Sequence, residues 1–198
     1  MASADSNSIP QRSGWSSLLD LTPYHWFVFI ICCLAWDLDC MDQQLFVLAR
    51  VPAVMELYGK PEGMDANKIS DNVKLYATYS TSIFLVGWAI GGLGFGVMGD
   101  RRGRVKTLMT TILIYSVFTG LSSFSIGIYD FMFYRFLTGM GVGGVFGVAV
   151  SLLAETVPPH ARPFALGLLQ ASSVFGNCAA ALISIYLGSL QQAKFFEG

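Results

Sequence analysis

Five runs of this chain, 24–49, 75–98, 107–127, 131–154 and 164–188, are each long and apolar enough to cross a lipid bilayer. Each is bounded by charges, proline or glycine. A spanning helix needs about 20 largely apolar residues, because it rises about 1.5 Å per residue through about 30 Å of hydrocarbon. No water reaches backbone N–H and C=O groups at that depth, so runs of this length satisfy them internally as helices. The fold class expected is an all-α membrane protein with five transmembrane helices, and lipid is its first partner. Composition agrees: 13% of the 198 residues are charged and the formal net charge is −1. Soluble domains carry about 25% charged residues. That balance excludes a disordered chain, a basic nucleic-acid-binding protein and an ordinary soluble enzyme.

The segments between the runs set an orientation. Residues 1–22 form a polar, Ser-rich N-terminal tail. The stretch 50–74 mixes Arg50, Lys60, Lys68 and Lys74 with Glu56, Glu62, Asp65 and Asp71, and reads as a solvated loop with room for a short surface helix. The short loop 99–106 holds Arg101, Arg102, Arg104 and Lys106. Short basic loops stay on the cytoplasmic side. Alternation then places the N-terminus inside, 50–74 outside, the turn near 128 outside and 155–163 inside. The expected location is a multi-pass protein of the plasma (inner) membrane with a cytoplasmic N-terminus. Residues 189–198 form a short tail.

Cys32, Cys33, Cys40 and Cys178 all lie in apolar stretches with no metal-ligand spacing, so they read as small buried residues and no metal or cofactor is expected. Glycine is dense in two runs. Gly87, Gly91, Gly92, Gly94 and Gly96 fall in the second, and Gly139, Gly143 and Gly147 form a ridge of four-residue spacing in the fourth. Small residues let membrane helices approach closely. Their pattern is equally that of static packing and of a sliding contact.

The chemical signal is the set of acids inside the first run: Asp37, Asp39 and Asp42. One ionised aspartate at the bilayer centre costs about 2.5–3.5 kcal/mol on insertion scales. Such residues face a polar cavity, pair with a base or hold a proton. At about 100° per residue, Asp39 and Asp42 share a face with Gln43 and Phe46, and Arg50 lies further along it, while Asp37 points largely away. Two carboxylates on one face repel, which favours keeping a proton on one of them. Asp39 and Asp42, with Asp37 behind them, are therefore the candidate proton-coupling residues. The other reading is a structural pair holding Arg50 or a neighbouring helix. Arg135, near the outer end of the fourth run, either snorkels to the surface or faces these acids. In the fifth run Gln170, Asn177 and Ser184 recur every seven residues. That stripe suits either substrate contact or interhelical hydrogen bonds. Gln170, Asn177, Arg135 and Gln43 are the candidate substrate-cavity residues. No serine-nucleophile elbow and no phosphate loop is present, and a membrane enzyme is not expected.

Three motifs resemble the major facilitator superfamily. Gly96-Val-Met-Gly-Asp100-Arg101-Arg102-Gly103-Arg104 is similar to its signature loop between the second and third helices, Gly-x-x-x-Asp-Arg-x-Gly-Arg. Arg135-Phe-Leu-Thr-Gly139-Met-Gly141 is similar to the Arg-x-x-x-Gly-x-Gly of its fourth helix. Glu155-Thr-Val-Pro158-Pro-His-Ala-Arg162 is similar to the Glu-x-x-Pro-x-x-x-Arg of the loop that follows. The resemblance implies that Gly96, Asp100, Arg101, Gly103, Arg104, Glu155 and Arg162 form a cytoplasmic signature loop and gate that breaks when the protein opens inward. Asp39-Cys40-Met41-Asp42 resembles the Asp-x-x-Asp of proton-coupled carboxylate porters, with Cys40 where the aromatic-acid group has glycine. Gln170 falls where sugar porters place a sugar-binding glutamine.

The resemblance implies a secondary active transporter working by alternating access, with protons and a small anionic carboxylate or sugar acid as its cargo. It also implies two six-helix halves. Five runs then represent a truncated N-terminal half (24–188), with 189–198 standing where a sixth helix would follow. A complete site would need the missing half or a second chain. The alternatives on the same scaffold are a non-transporting sensor or regulatory subunit and an inactive truncated fragment.

Overall fold

The computed structural model describes Leu18, residues 21–59 and residues 65–196. Five helices follow one another: α1 Pro23–Tyr58, α2 Ala66–Arg102, α3 Arg104–Ser122, α4 Ile128–Thr156 and α5 Arg162–Phe196. No strand occurs among the described residues. Each helix contains a stretch long and apolar enough to cross a membrane. All of the N-terminal tail except Leu18, Leu21 and Thr22 lies outside the described residues.

Local chemistry sets the helix ends. Pro23 opens α1, where its missing N–H removes a donor that would have no partner. The Thr22 backbone N–H donates to His25 Nδ1 at 3.1 Å. Gly103 alone separates α2 from α3, with φ +96°, a region where a side chain would be strained. Its N–H bonds to the Gly99 carbonyl at 3.1 Å, and its own carbonyl accepts from the Thr107 N–H at 3.2 Å. One glycine thus ends one helix and starts the next. α4 stops where Val157 turns extended (φ −81°, ψ 138°) ahead of Pro158.

Several boundaries differ from the sequence reading. Much of the stretch 50–74 is helix: α1 continues to Tyr58 and α2 begins at Ala66. These ends have a small core of their own. Val54 and Val73 are buried together, the Tyr58 and Tyr76 rings lie 5.8 Å apart, and Asn72 Nδ2 donates to the Tyr58 hydroxyl at 2.9 Å. The charges that suggested a loop decorate the outward faces, where Glu56, Lys68, Asp71 and Lys74 are exposed. Lys60 and Glu62 lie outside the described residues. α3 ends at Ser122 rather than near 127. Serine hydroxyls close the turn there: Ser122 Oγ donates to the Thr119 carbonyl at 2.6 Å and Ser125 Oγ to the Ser122 carbonyl at 2.8 Å. The short tail expected at 189–198 is the last turns of α5 as far as Phe196.

α4 is the centre of the bundle. Of its most apolar stretch 56% is buried, against 17–28% in the other four helices. Glycines explain how neighbours come so close. A Cβ on Gly87 or Gly91 of α2 would run into the α4 backbone at Phe136 and Met140. A Cβ on Gly139 or Gly143 of α4 would run into the α2 backbone at Phe84 and Trp88. On another side, Gly141 and Gly144 admit Tyr115 and Thr111 of α3. α5 packs mainly on α1, where Gly176 meets the backbone of Asp37. Trp36 of α1 stacks at a tilt on Phe146 of α4 with centroids 4.9 Å apart, joining the α1 side to this core.

Candidate functional site

The three acids of α1 point to three environments, as a helix turning about 100° per residue requires. Asp39 is completely buried. Its Oδ2 accepts from Gln43 Nε2, one turn along, at 3.1 Å. Its Oδ1 has no hydrogen-bond partner among the described residues. Asp42 is half-buried, and Thr119 Oγ1 of α3 donates to its Oδ2 at a long 3.4 Å. Asp37 faces the opposite side, where Ser172 Oγ of α5 donates to its Oδ1 at 2.8 Å. The structure thus separates Asp37 from the Asp39–Asp42 face.

Arg135 neither snorkels outward nor pairs directly with an acid. It is 6% exposed. Its guanidinium carbon lies 4.0 Å from the centroid of the Phe46 ring and 5.5 Å from that of Phe131, within cation–π range of both. Nη2 donates to Ser122 Oγ at 3.0 Å, while Nε has no hydrogen-bond partner among the described residues. Arg135 and Asp42 line one cavity of about 240 Å³, together with Arg50, Thr119, Ser122 and Phe131. Arg50 does not hold the acid pair: its Nη1 donates to Thr81 Oγ1 of α2 at 2.8 Å. No ion pair among the described residues joins Asp39 or Asp42 to an arginine. Thr119, Ser122 and Phe131 were missed from sequence, and Phe46 was placed on the acid face without its contact to Arg135. The only available signal was Thr119 and Ser122 standing one helical turn apart in an apolar run.

The other candidate cavity residues are placed elsewhere. The Gln43 side chain is occupied by Asp39. Gln170 and Asn177 are exposed on α5 and do not reach this cavity. Ser184 donates within its own helix, to the Ala180 carbonyl at 2.9 Å.

At the end of the bundle that carries Gly103, Arg104 gathers the signature-loop residues. Its Nη2 pairs with Asp100 and, at 2.7 Å, with Glu155 Oε1 of α4. Nε donates to the same Glu155 oxygen at 3.0 Å, and Nη1 to the Gly96 carbonyl at 3.4 Å. Gly99 lies against the Arg104 side chain, where a Cβ would stand 3.1 Å from Nη1. Arg101 and Arg102 are exposed and form no ion pair among the described residues, so Arg101, grouped with the gate from sequence, stands apart from the Arg104–Glu155 contact. Arg162 turns back on its own segment, with Nε donating to the Val157 carbonyl at 3.0 Å. No cluster of metal-ligating side chains occurs among the described residues.

Comparison with known proteins bears on the family and the fold. The family described as "Sugar (and other) transporter" matches residues 45–196. A putative niacin/nicotinamide transporter of Bacillus subtilis is 33% identical over 156 residues, 78% of this chain and 35% of its own length. The benzoate transport protein of Acinetobacter baylyi is 30% identical over 86% of this chain and 34% of its own length. The sialic acid transporter of Escherichia coli is 34% identical over 55% of this chain and 27% of its own. The chain spans a quarter to about a third of the length of the curated relatives it matches. Among solved structures, a bacterial homologue of the human lysosomal transporter Spinster, inward-facing and unoccupied, superposes with a TM-score of 0.65. It is 18% identical and is matched over 90% of this chain and 37% of its own, so it supports the fold alone.

Proposed function

From the premise that the chain belongs to the sugar (and other) transporter family of the major facilitator superfamily, a family of transporters rather than enzymes, we propose that it forms the proton-coupling bundle of a carrier for a small organic acid. The observation that carries this reading is the cavity shared by Asp42 and the buried Arg135. Charged groups are retained inside a membrane bundle at considerable cost, and typically mark ion or proton paths. Asp42 faces the cavity, and Asp39 stands one turn behind it in a dry position. A proton arriving on Asp42 removes its attraction to Arg135, and that change in charge biases the equilibrium between two arrangements of the bundle.

Three further points extend the reading. Benzoate and sialic acid, named for two relatives, are both carboxylic acids, which favours an anionic carboxylate cargo moving together with protons. Gln170 and Asn177, exposed on α5, would meet that cargo on a face this chain does not cover. Arg104, Asp100 and Glu155 would close the cytoplasmic end in one state and separate in the other, with the N-terminus on the same side, in the plasma membrane.

The test is uptake of benzoate, nicotinate and sialic acid into vesicles carrying the native gene product, with an imposed pH gradient. Gradient-driven accumulation of at least one acid is expected, and its loss in the Asp39→Asn/Asp42→Asn double variant. Unchanged uptake and an unchanged pH profile in that variant would overturn the coupling role.

A further inference from the structure

The cavity among α1, α3 and α4 carries an imbalance of charge that proton coupling alone does not use. Among the described residues, two arginines, Arg50 and Arg135, line it against one carboxylate, Asp42. Neither arginine forms an ion pair among the described residues. Each guanidinium carries five N–H donors. Arg135, itself more than nine-tenths buried, gives Nη2 to Ser122 and leaves Nε without a hydrogen-bond partner among the described residues. Arg50 gives Nη1 to Thr81. The hydroxyls beside them are occupied: Thr119 donates to Asp42, and Ser122 donates to the Thr119 carbonyl while accepting from Arg135. Two guanidiniums against one carboxylate, in a wall that includes Phe46 and Phe131, leave this cavity an excess of positive charge that attracts an anion.

We infer that a compact inorganic monovalent anion, of the halide type, binds in this cavity between Arg50 and Arg135, as a site separate from that of any transported acid. Size argues for the inorganic ion. About 240 Å³ lies below the range of roughly 300–1,000 Å³ usual for pockets that enclose organic ligands, and leaves room for one ion and a few waters. Guanidinium is weakly hydrated and planar, and suits a large, weakly hydrated anion better than an ammonium does. The ion compensates the second arginine whether or not Asp42 is charged, and Asp42 competes with it. The inference therefore extends beyond proton coupling and does not depend on it.

The experiment is a melting series on the purified native gene product in detergent, titrating chloride against gluconate at constant ionic strength. Chloride is expected to raise the melting temperature saturably, as a ligand of the folded state does. In Arg50→Gln the half-saturating chloride rises by roughly tenfold or saturation is lost, in keeping with one charge-assisted contact removed. Arg50→Lys recovers part of it. Asp42→Asn, which removes the competing negative charge, moves the half-saturating chloride downward, and this variant carries the test if Arg50→Gln does not fold. Three outcomes overturn the site: no saturable effect of chloride, the same half-saturation in wild type and Asp42→Asn, or protection by benzoate or nicotinate with none by chloride. The readout is melting, not uptake. Failure of proton-driven uptake therefore leaves the anion site standing, and failure of the chloride titration leaves the coupling reading standing.

Discussion

α4 presents two faces that solve opposite problems. Toward α2 it offers Gly139 and Gly143, and α2 answers with Gly87 and Gly91, so that backbone meets backbone with no room for a methyl group. Toward α1 and α3, a little further toward its N-terminus, it offers Arg135, a long charged side chain held between two phenylalanine rings beside a cavity. The first face excludes water, ions and alternative packings. The second keeps space and keeps charge. In a bilayer no hydrophobic drive joins helices, so close contact at small residues must hold the bundle together. The glycine seam supplies a rigid reference, and the arginine face is where a proton or an ion can act without dismantling it.

The largest effect should come from breaking the seam. Gly91→Val places branched carbon onto the Met140 backbone, which cannot move aside as a flexible side chain would. Overpacking of this kind costs about 1–3 kcal/mol in general, and the backbone clash puts it near about 3 kcal/mol. The melting temperature and the monodisperse yield in detergent measure it. Gly94, three residues along, has nothing within 4 Å of where a Cβ would stand. Gly94→Ala is expected to change neither quantity. Equal tolerance of both substitutions would mean that the seam is not the rigid half of the molecule.

The charged face should behave in the reverse way, with function lost before fold. Asp42→Asn is expected to cut gradient-driven uptake by about tenfold or more while the protein still folds, since Asp42 makes only one long hydrogen bond. Asp37→Asn is the sharpening control. Its carboxylate holds Ser172 of α5 at 2.8 Å. Asparagine keeps an acceptor for Ser172 and removes only the charge, so the variant costs no more than about 1 kcal/mol of stability and leaves the pH profile of uptake where it was. If the two variants shift the pH profile alike, the three acids of α1 act as one group, and their separation on the helix has no mechanistic meaning.

These contrasts also mark what the sequence could express. The five helices were legible because an apolar run of about 20 residues has one physical solution in lipid. Their ends were not, since a helix does not stop where hydrophobicity stops. Val54, Val73 and the Tyr58–Tyr76 pair carry α1 and α2 beyond the apolar runs, in a stretch that charge counting read as loop. The divergence of Asp37 from Asp39 and Asp42 followed from the helical period alone. The partners of Asp42, Asp37, Arg135 and Arg50 did not: Thr119, Ser172, Ser122 and Thr81 come from other helices, and periodicity within one helix cannot say which helices are neighbours. Arg104 with Asp100 and Glu155 was legible because its motif is local and recurrent. Arg101 belongs to the signature loop and Arg162 to the motif that starts at Glu155, yet one points outward and the other back to its own backbone.

The smallest expected effect lies where the sequence speaks most clearly. The Arg104 side chain is 16% exposed, but its partners Asp100 and Glu155 are 59% and 58% exposed. Exposed ion pairs contribute about 0–1 kcal/mol, because water screens them and ordering long side chains costs entropy. Arg104→Gln should therefore lower stability by no more than about 1 kcal/mol at low salt, and by less at about 1 M salt, where the screening length falls to about 3 Å. Melting of the native gene product at the two salt concentrations measures both. A loss near about 3 kcal/mol that ignored salt would put this end of the bundle in the same class as the glycine seam. A small, salt-sensitive loss is what a latch requires: strong enough to favour one arrangement, and weak enough for a single protonation or ligand to undo it.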